Sequence, residues 1–179
     1  MAGFMNLAIR VVNTMSALQT EAVAVLTTGG TIDKVYFDAR SEFAIGDSVV
    51  LELLKEAHVD APHRLVEVMR KDSLDLNDAD RQAIAQAVQC CDERCVVITH
   101  GTDTMALTAQ SLQAGEKTIV LTGALSPARF AKSDATFNVG MAFAAVQTLP
   151  PGVYIVMNGQ VFAADRVRKD LEQNVFVRC

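Results

Sequence analysis

The sequence predicts an α/β protein of three layers, a mainly parallel sheet with helices on both faces. Three observations carry this prediction. Short apolar runs rich in β-branched residues recur along the 179 residues, segments of helical character separate them, and two of the runs end in a glycine turn with threonine and a carboxylate close behind. Strands that alternate with helices favour parallel neighbours, because a right-handed crossover returns each helix onto the sheet.

The first strand is predicted at Val23 to Leu26, where uninterrupted apolar residues suit burial on both faces. It runs into Thr27-Thr28-Gly29-Gly30-Thr31, a turn that sets hydroxyls at a strand end. Asp33 to Gly46 has no clear period and carries charges, Tyr36, Phe37 and Phe43, so it is predicted as an irregular lid. At about 14 residues it exceeds an ordinary connection, and long loops are enriched in function. Ser48 to Ala57 suits a helix and Leu65 to Met69 a second strand. The helix from Asn77 to Cys91 is read in more detail: Asn77 caps it, Asp78 and Asp80 favour its positive end, and Ile84, Val88 and Cys91 share one face. Strands at Val96 to Thr99 and Thr118 to Thr122 flank a helix at Thr104 to Gln113. A long helix at Ala135 to Thr148 then meets Pro150-Pro151-Gly152, which breaks the chain before a final strand at Val153 to Met157.

Half of the residues are hydrophobic, enough for one domain with a substantial core, predicted over 21–179. Residues 1–20 precede it as an added extension, an upstream start or a disordered arm. That segment is broken by Asn6, Arg10, Asn13 and Gln19 and has no signal-peptide core. With no apolar stretch near the length of a membrane span, a cytoplasmic location is expected. A net charge of −5 provides no basic field for nucleic acid or anionic lipid, so neither is expected as a partner and a small molecule is. Cys90, Cys91, Cys95 and Cys179 match no common zinc spacing and read as reduced thiols, with no metal and no cofactor expected.

In an open parallel sheet ligands sit beyond the carboxyl ends of the strands, which draws Thr31, Ser73, Thr102 and Ala124 to one crevice. A threonine hydroxyl needs a group to remove its proton. His100 precedes the second turn and is more simply a satisfied strand-end histidine, while Lys34, Lys132 and Lys169 are candidate bases if burial or a carboxylate tunes one of them. The glycine turns lack the lysine of a P-loop and the three-glycine spacing of a dinucleotide fingerprint, which argues against nucleotide binding.

Thr28-Gly29-Gly30-Thr31-Ile32 and Ile98-Thr99-His100-Gly101-Thr102-Asp103-Thr104-Met105 resemble the two signature segments of the bacterial-type L-asparaginase family. Asp72-Ser73-Leu74-Asp75-Leu76-Asn77-Asp78, Leu121-Thr122-Gly123-Ala124, and Val156-Met157-Asn158-Gly159 running on to Arg168-Lys169 extend the match over nearly everything from Val23 onward. The resemblance implies a Rossmann-like domain of the asparaginase N-terminal type, in a short single-domain form. It implies hydrolysis of L-asparagine to aspartate and ammonia through an acyl-enzyme, with Thr31 as nucleophile and Thr102, Asp103 and Lys169 as the opposing centre. Asp103 would receive the substrate's α-ammonium and Ser73 its α-carboxylate, while Gly30, Leu74 and backbone groups at Gly101, Thr102 and Ala124 complete the binding site. A homodimer or homotetramer is expected. The same fold could instead serve an amino-acid-binding pseudoenzyme or an ammonia-supplying component of a larger complex.

Three departures qualify the likeness. Familiar members carry a second, C-terminal domain, whose absence here would weaken substrate binding. The activating tyrosine of the lid falls at Phe43, so Tyr36 is assigned the proton-relay role in its place. Leu74 stands where a glutamine commonly holds the substrate's backbone groups, and losing such a contact would cost roughly 1.5 to 3 kcal/mol.

Overall fold

The computed structural model describes residues 21–37 and 42–179. The predicted extension at 1–20 lies outside the described residues. In chain order the strands are β1 (Val23–Thr27), β2 (Lys34–Phe37), β3 (Glu42–Ile45), β4 (His63–Glu67), β5 (Cys95–Thr99), β6 (Thr118–Thr122), β7 (Gly152–Met157), β8 (Gln160–Ala163), β9 (Val167–Asp170) and β10 (Val175–Arg178). The helices are α1 (Val50–Glu56), α2 (Asp78–Gln89), α3 (Met105–Ser111) and α4 (Ala135–Thr148).

Six strands form the central sheet in the order β4-β1-β5-β6-β7-β8, parallel except for β8, which returns antiparallel along β7. The three central strands β1, β5 and β6 have every residue buried, as their uninterrupted apolar composition requires. Alternate side chains of these strands feed two cores. Ala24, Leu26, Val96 and Ile98 pack with Ile84 and Val88 of α2 and Met105 and Ala109 of α3. Val23, Val25, Val97 and Val120 pack with Val50 and Leu54 of α1 and with Val139, Phe143 and Val146 of α4. Each fully buried aliphatic side chain contributes roughly 1.5 to 3 kcal/mol. The three-layer α/β prediction therefore holds.

The helix at Asn77 begins as its sequence requires. Asn77 Oδ1 accepts the Asp80 amide at 3.1 Å and Asp80 Oδ2 accepts the Asn77 amide at 3.0 Å, a reciprocal capping box. The second core strand starts two residues earlier than predicted and ends at Glu67, because the Val68 and Met69 amides both turn onto Thr27 O.

The stretch Asp33 to Gly46 is not an irregular loop. It holds the antiparallel hairpin β2–β3, with Tyr36 opposite Phe43 and Lys34 opposite Ile45, and 38–41 lie outside the described residues. Aromatic cross-strand pairing stabilises the ribbon, and the charges at its ends hide its period of two from a sequence reading. A second ribbon, β9–β10, was also not foreseen; it pairs Lys169 with Phe176, whose side chain is buried in the first core.

Strand order reverses between β1 and β5, since the chain moves from β1 outward to β4 and then returns to the other side of β1. The carboxyl ends of β1 and β5 at this switch point, Thr27 and Thr99, lie in register as neighbours. A crevice forms there in sheets of this type.

Candidate active site

The two glycine turns beyond Thr27 and Thr99 press against each other. Thr28 fixes the first by donating both its amide (3.1 Å) and its hydroxyl (2.9 Å) to Thr99 O. Gly30 has φ 92°, and a Cβ on it would collide with the backbone of Gly101. Both facts require glycine at that position. Gly101 in turn lies against the Ser73 side chain, and Gly123 against His100 O, so the loops after β1, β4, β5 and β6 pack closely on one another. This contact brings together the two turns that carry Thr31 and Thr102, each one residue beyond a touching glycine.

Thr31 opens a 3-10 turn, Thr31–Asp33, and is partly exposed. Thr102 is 4% exposed, and Lys169 reaches it from β9. The Lys169 ammonium donates to Thr102 Oγ1 at 2.8 Å and to Asp103 Oδ1 at 2.6 Å. The Lys169 side chain is 9% exposed and that of Asp103 34%, so the lysine is enclosed while the carboxylate remains partly open to solvent. Such a cluster can hold a proton beside a hydroxyl and release it when the carboxylate is engaged elsewhere.

The β9–β10 ribbon that carries Lys169 is tied to the turn after β7, where Asn158 Oδ1 accepts the Phe176 amide at 2.8 Å. Of the other candidate lysines, Lys34 pairs with Asp72 at 2.7 Å and Lys132 is exposed on the loop before α4. Burial opposes ionisation of Asp72, but Lys34 and the Leu74 and Ser73 amides outweigh it and hold the carboxyl below its ordinary range.

His100 is fully buried, as the simpler sequence reading held. Its Nδ1 lies 2.7 Å from Gly101 O and its Nε2 is 2.9 Å from the Thr108 hydroxyl, so both ring nitrogens are engaged inside the domain. Burial lowers its pKa to about 4, against the opposing bond to Gly101. The imidazole is neutral and serves as a brace for the second turn.

Ser73 is brought to the crevice but not opened to it. It is 1% exposed, its hydroxyl has no partner among the described residues, and its carbonyl accepts Thr104 Oγ1 at 2.8 Å. Leu74 beside it is 71% exposed. Ala124 is buried, and its loop is held by residues the sequence reading passed over: Asp134 accepts the Leu125 and Ser126 amides at 3.0 and 3.1 Å, and Asn138 Nδ2 donates to Gly123 O at 3.0 Å and to Asp134 at 2.8 Å. Asp134 directly precedes the predicted helix at Ala135, and a carboxylate at that place was the available signal.

Tyr36 is not joined to Thr31 by a hydrogen bond. Its ring packs on Phe43 with centroids 5.2 Å apart, Phe43 reaches Phe130 at 6.1 Å, and Tyr36 is 46% exposed. Among the described residues no group of three or more His, Cys, Asp or Glu could hold a metal ion. No described helix is long and apolar enough to cross a membrane.

The fold and crevice define a doubly wound α/β protein that presents two threonines and a lysine–aspartate pair at its switch point. Comparison with known proteins places it more narrowly. The family model for asparaginase, N-terminal, matches residues 22–175. A probable periplasmic L-asparaginase of Haemophilus influenzae is 31% identical over 170 residues, covering 88% of this chain and 49% of that protein. An L-asparaginase of Thermococcus kodakarensis is 31% identical over 152 residues, covering 81% and 46%. The crystal structure of L-asparaginase I from Vibrio cholerae superposes with a TM-score of 0.78 at 26% identity, covering 88% of this chain and 51% of that one. The chain belongs to the asparaginase family through the N-terminal domain of that family. It spans about half the length of the curated relatives it matches.

Proposed function

We propose that this protein is an amidohydrolase that converts L-asparagine to L-aspartate and ammonia through a threonine acyl-enzyme. The observation that carries the reading is the Lys169 ammonium at 2.8 Å from Thr102 Oγ1 and 2.6 Å from Asp103 Oδ1, across a glycine contact from the turn that bears Thr31. Thr31 Oγ attacks the side-chain amide carbon, the tetrahedral oxyanion collapses, the C–N bond breaks, and ammonia leaves with the proton that Thr31 gave up. Water then attacks the ester carbon, frees aspartate and restores the Thr31 hydroxyl.

The substrate's α-ammonium competes with Lys169 for the exposed carboxylate of Asp103. That competition loosens the hold on the lysine proton and lets Lys169 and Thr102 exchange it with the reacting groups. Backbone amides around Thr102 stabilise the oxyanion, and each such donor lowers a barrier by about 3 kcal/mol in other hydrolases. Tyr36 is the proposed relay to Thr31 and moves toward it from its stack on Phe43. Ser73 is proposed to receive the α-carboxylate, which requires its covered hydroxyl to become accessible.

A coupled ammonia assay tests the reading, run on the purified chain with asparagine and glutamine separately. Thr31→Ala and Thr102→Ala are each expected to lower turnover by a factor of about 10³ or more. Near-parental activity in either variant refutes its role, and no release from either amide by the parent protein refutes the reading as a whole. A cytoplasmic location accords with four free thiols. Assembly as a homodimer or homotetramer accords with the exposed apolar side chains Tyr36 and Phe43 on the β2–β3 ribbon, Leu74 and Phe130 on turns and loops and Phe137 in the first turn of α4, and sedimentation equilibrium measures it.

A further inference from the structure

Asp33 is a carboxylate with 1% exposure, two residues beyond Thr31 and at the other end of the same 3-10 turn. Among the described residues it belongs to no ion pair. Its Oδ1 accepts the Val49 amide at 3.1 Å, at the residue that leads into α1. Its own carbonyl accepts the Gly46 amide at 2.9 Å, which closes the neck of the β2–β3 hairpin. Between Thr31 and Asp33, the Ile32 carbonyl accepts the Ala128 amide at 3.1 Å.

An unpaired buried carboxylate is costly, and burial raises its pKa against the bonds from Val49 and Ser48. A residue chosen for packing alone would be apolar at this place. Yet the bonds of Asp33 and Ile32 join the Thr31 turn to three separate parts of the molecule: the hairpin neck, the entry to α1, and the loop after β6. The turn's N-cap, Gly30, makes no side-chain cap hydrogen bond.

We propose that Asp33 is the positioning residue for the Thr31 hydroxyl, which it holds at the attack distance by fastening the turn to α1 through Val49. The inference rests on the proposed role of Thr31. Asp33 touches no reacting atom and acts only through the backbone of the turn. Displacement of a reacting group by about 1 Å costs on the order of 100-fold in rate, so the effect falls on turnover rather than on binding.

Three variants of the full chain test it: Asp33→Asn, which keeps a carbonyl acceptor for Val49, Asp33→Leu, which keeps the shape without the acceptor, and Val49→Pro, which removes the donor. Asp33→Asn is expected within about threefold of the parental kcat, and Asp33→Leu and Val49→Pro lower by about 30-fold or more, with KM moved less than about threefold in each. If Asp33→Leu does not fold, the other two decide. Parental kcat in Val49→Pro, or equal loss in Asp33→Asn and Val49→Pro, overturns the proposal, as does a change confined to KM. Amide exchange at Val49, whose N–H donates to Asp33 Oδ1, supplies a readout independent of turnover: it stays slow in Asp33→Asn and quickens in Asp33→Leu if Asp33 fastens the turn to α1. A parent protein that releases no ammonia but shows this exchange pattern would refute the amidohydrolase reading and leave the fastening intact; unchanged exchange in Asp33→Leu would refute the fastening itself.

Discussion

At the scale of single residues, the proposed reaction separates groups that do chemistry from groups that hold them. Lys169 belongs to the first kind. Lys169→Met preserves most of the side chain's length and apolar contact while deleting the ammonium on Thr102 and Asp103. Ammonia release is expected to fall by about 10² to 10⁴, the usual worth of a positioned proton-transfer group. The melting temperature is expected to move little, because the Asp103 side chain is 34% exposed and water compensates its lost partner. A variant that loses stability and activity in parallel would make Lys169 a structural strut instead. His100 belongs to the second kind. Its folded pKa of about 4 lies below the ordinary 6.5, so between those values the unfolded chain binds a proton that the folded chain does not. Stability from this residue is complete above about pH 6.5 and falls as the pH drops toward 4, by roughly 3 kcal/mol over the interval. Urea midpoints at pH 4.5 and 7 measure it, and the part of the slope due to His100 is expected to vanish in His100→Gln.

Elements explain why those residues converge. The β1 and β5 turns can approach as closely as they do because Gly30, at φ 92°, has no Cβ to meet the Gly101 backbone. Gly30→Ala adds both backbone strain and a collision with main chain that has no free end to swing away. Destabilisation of more than about 2 kcal/mol is expected, read from the denaturation midpoint, and a shift under about 0.5 kcal/mol would mean that the two turns are not rigidly apposed. Elements also show what a sequence discloses. The buried strands and their helices were legible because β1, β5 and β6 are apolar apart from threonines at their ends and α2 carries its caps in its own first turn. The ribbons β2–β3 and β9–β10 were not, since two-stranded ribbons mix charged and apolar residues with partners that lie elsewhere in the chain. Of the candidate site, the structure joins Thr102, Asp103 and Lys169 by hydrogen bonds. Thr31, Thr102, Asp103 and Lys169 stand in motifs, whereas Asp134 and Asn138 act through amides of a distant loop, a relation that only the fold creates. Proximity in sequence suggests Tyr36 for the relay, and the cross-strand pairing that sets its ring on Phe43 comes only from the fold.

Over the whole molecule, the crevice end of the sheet is open and the groups that would grip an amino acid there are few. Lys34 is committed to Asp72, Lys169 to Asp103, and Arg70 to Asp47 and Glu67, while the hydroxyl of Ser73 is covered. The exposed side chain next to Ser73 is Leu74, which offers no hydrogen bond to a carboxylate or ammonium. On the proposed function, binding energy for a zwitterion is therefore expected to be low. The expected outcome is a Michaelis constant for asparagine well above the micromolar range with turnover that remains measurable, from initial rates of ammonia release. Leu74→Gln supplies the missing donor and acceptor at an exposed position where stability changes little. One hydrogen bond to a charged group is worth about 1.5 to 3 kcal/mol, so KM is expected to fall by about 10-fold or more, with kcat changed much less. A parental KM already in the micromolar range would mean that surfaces outside the crevice, such as a second subunit, hold the substrate; an unchanged KM in Leu74→Gln would mean that residue 74 does not face it.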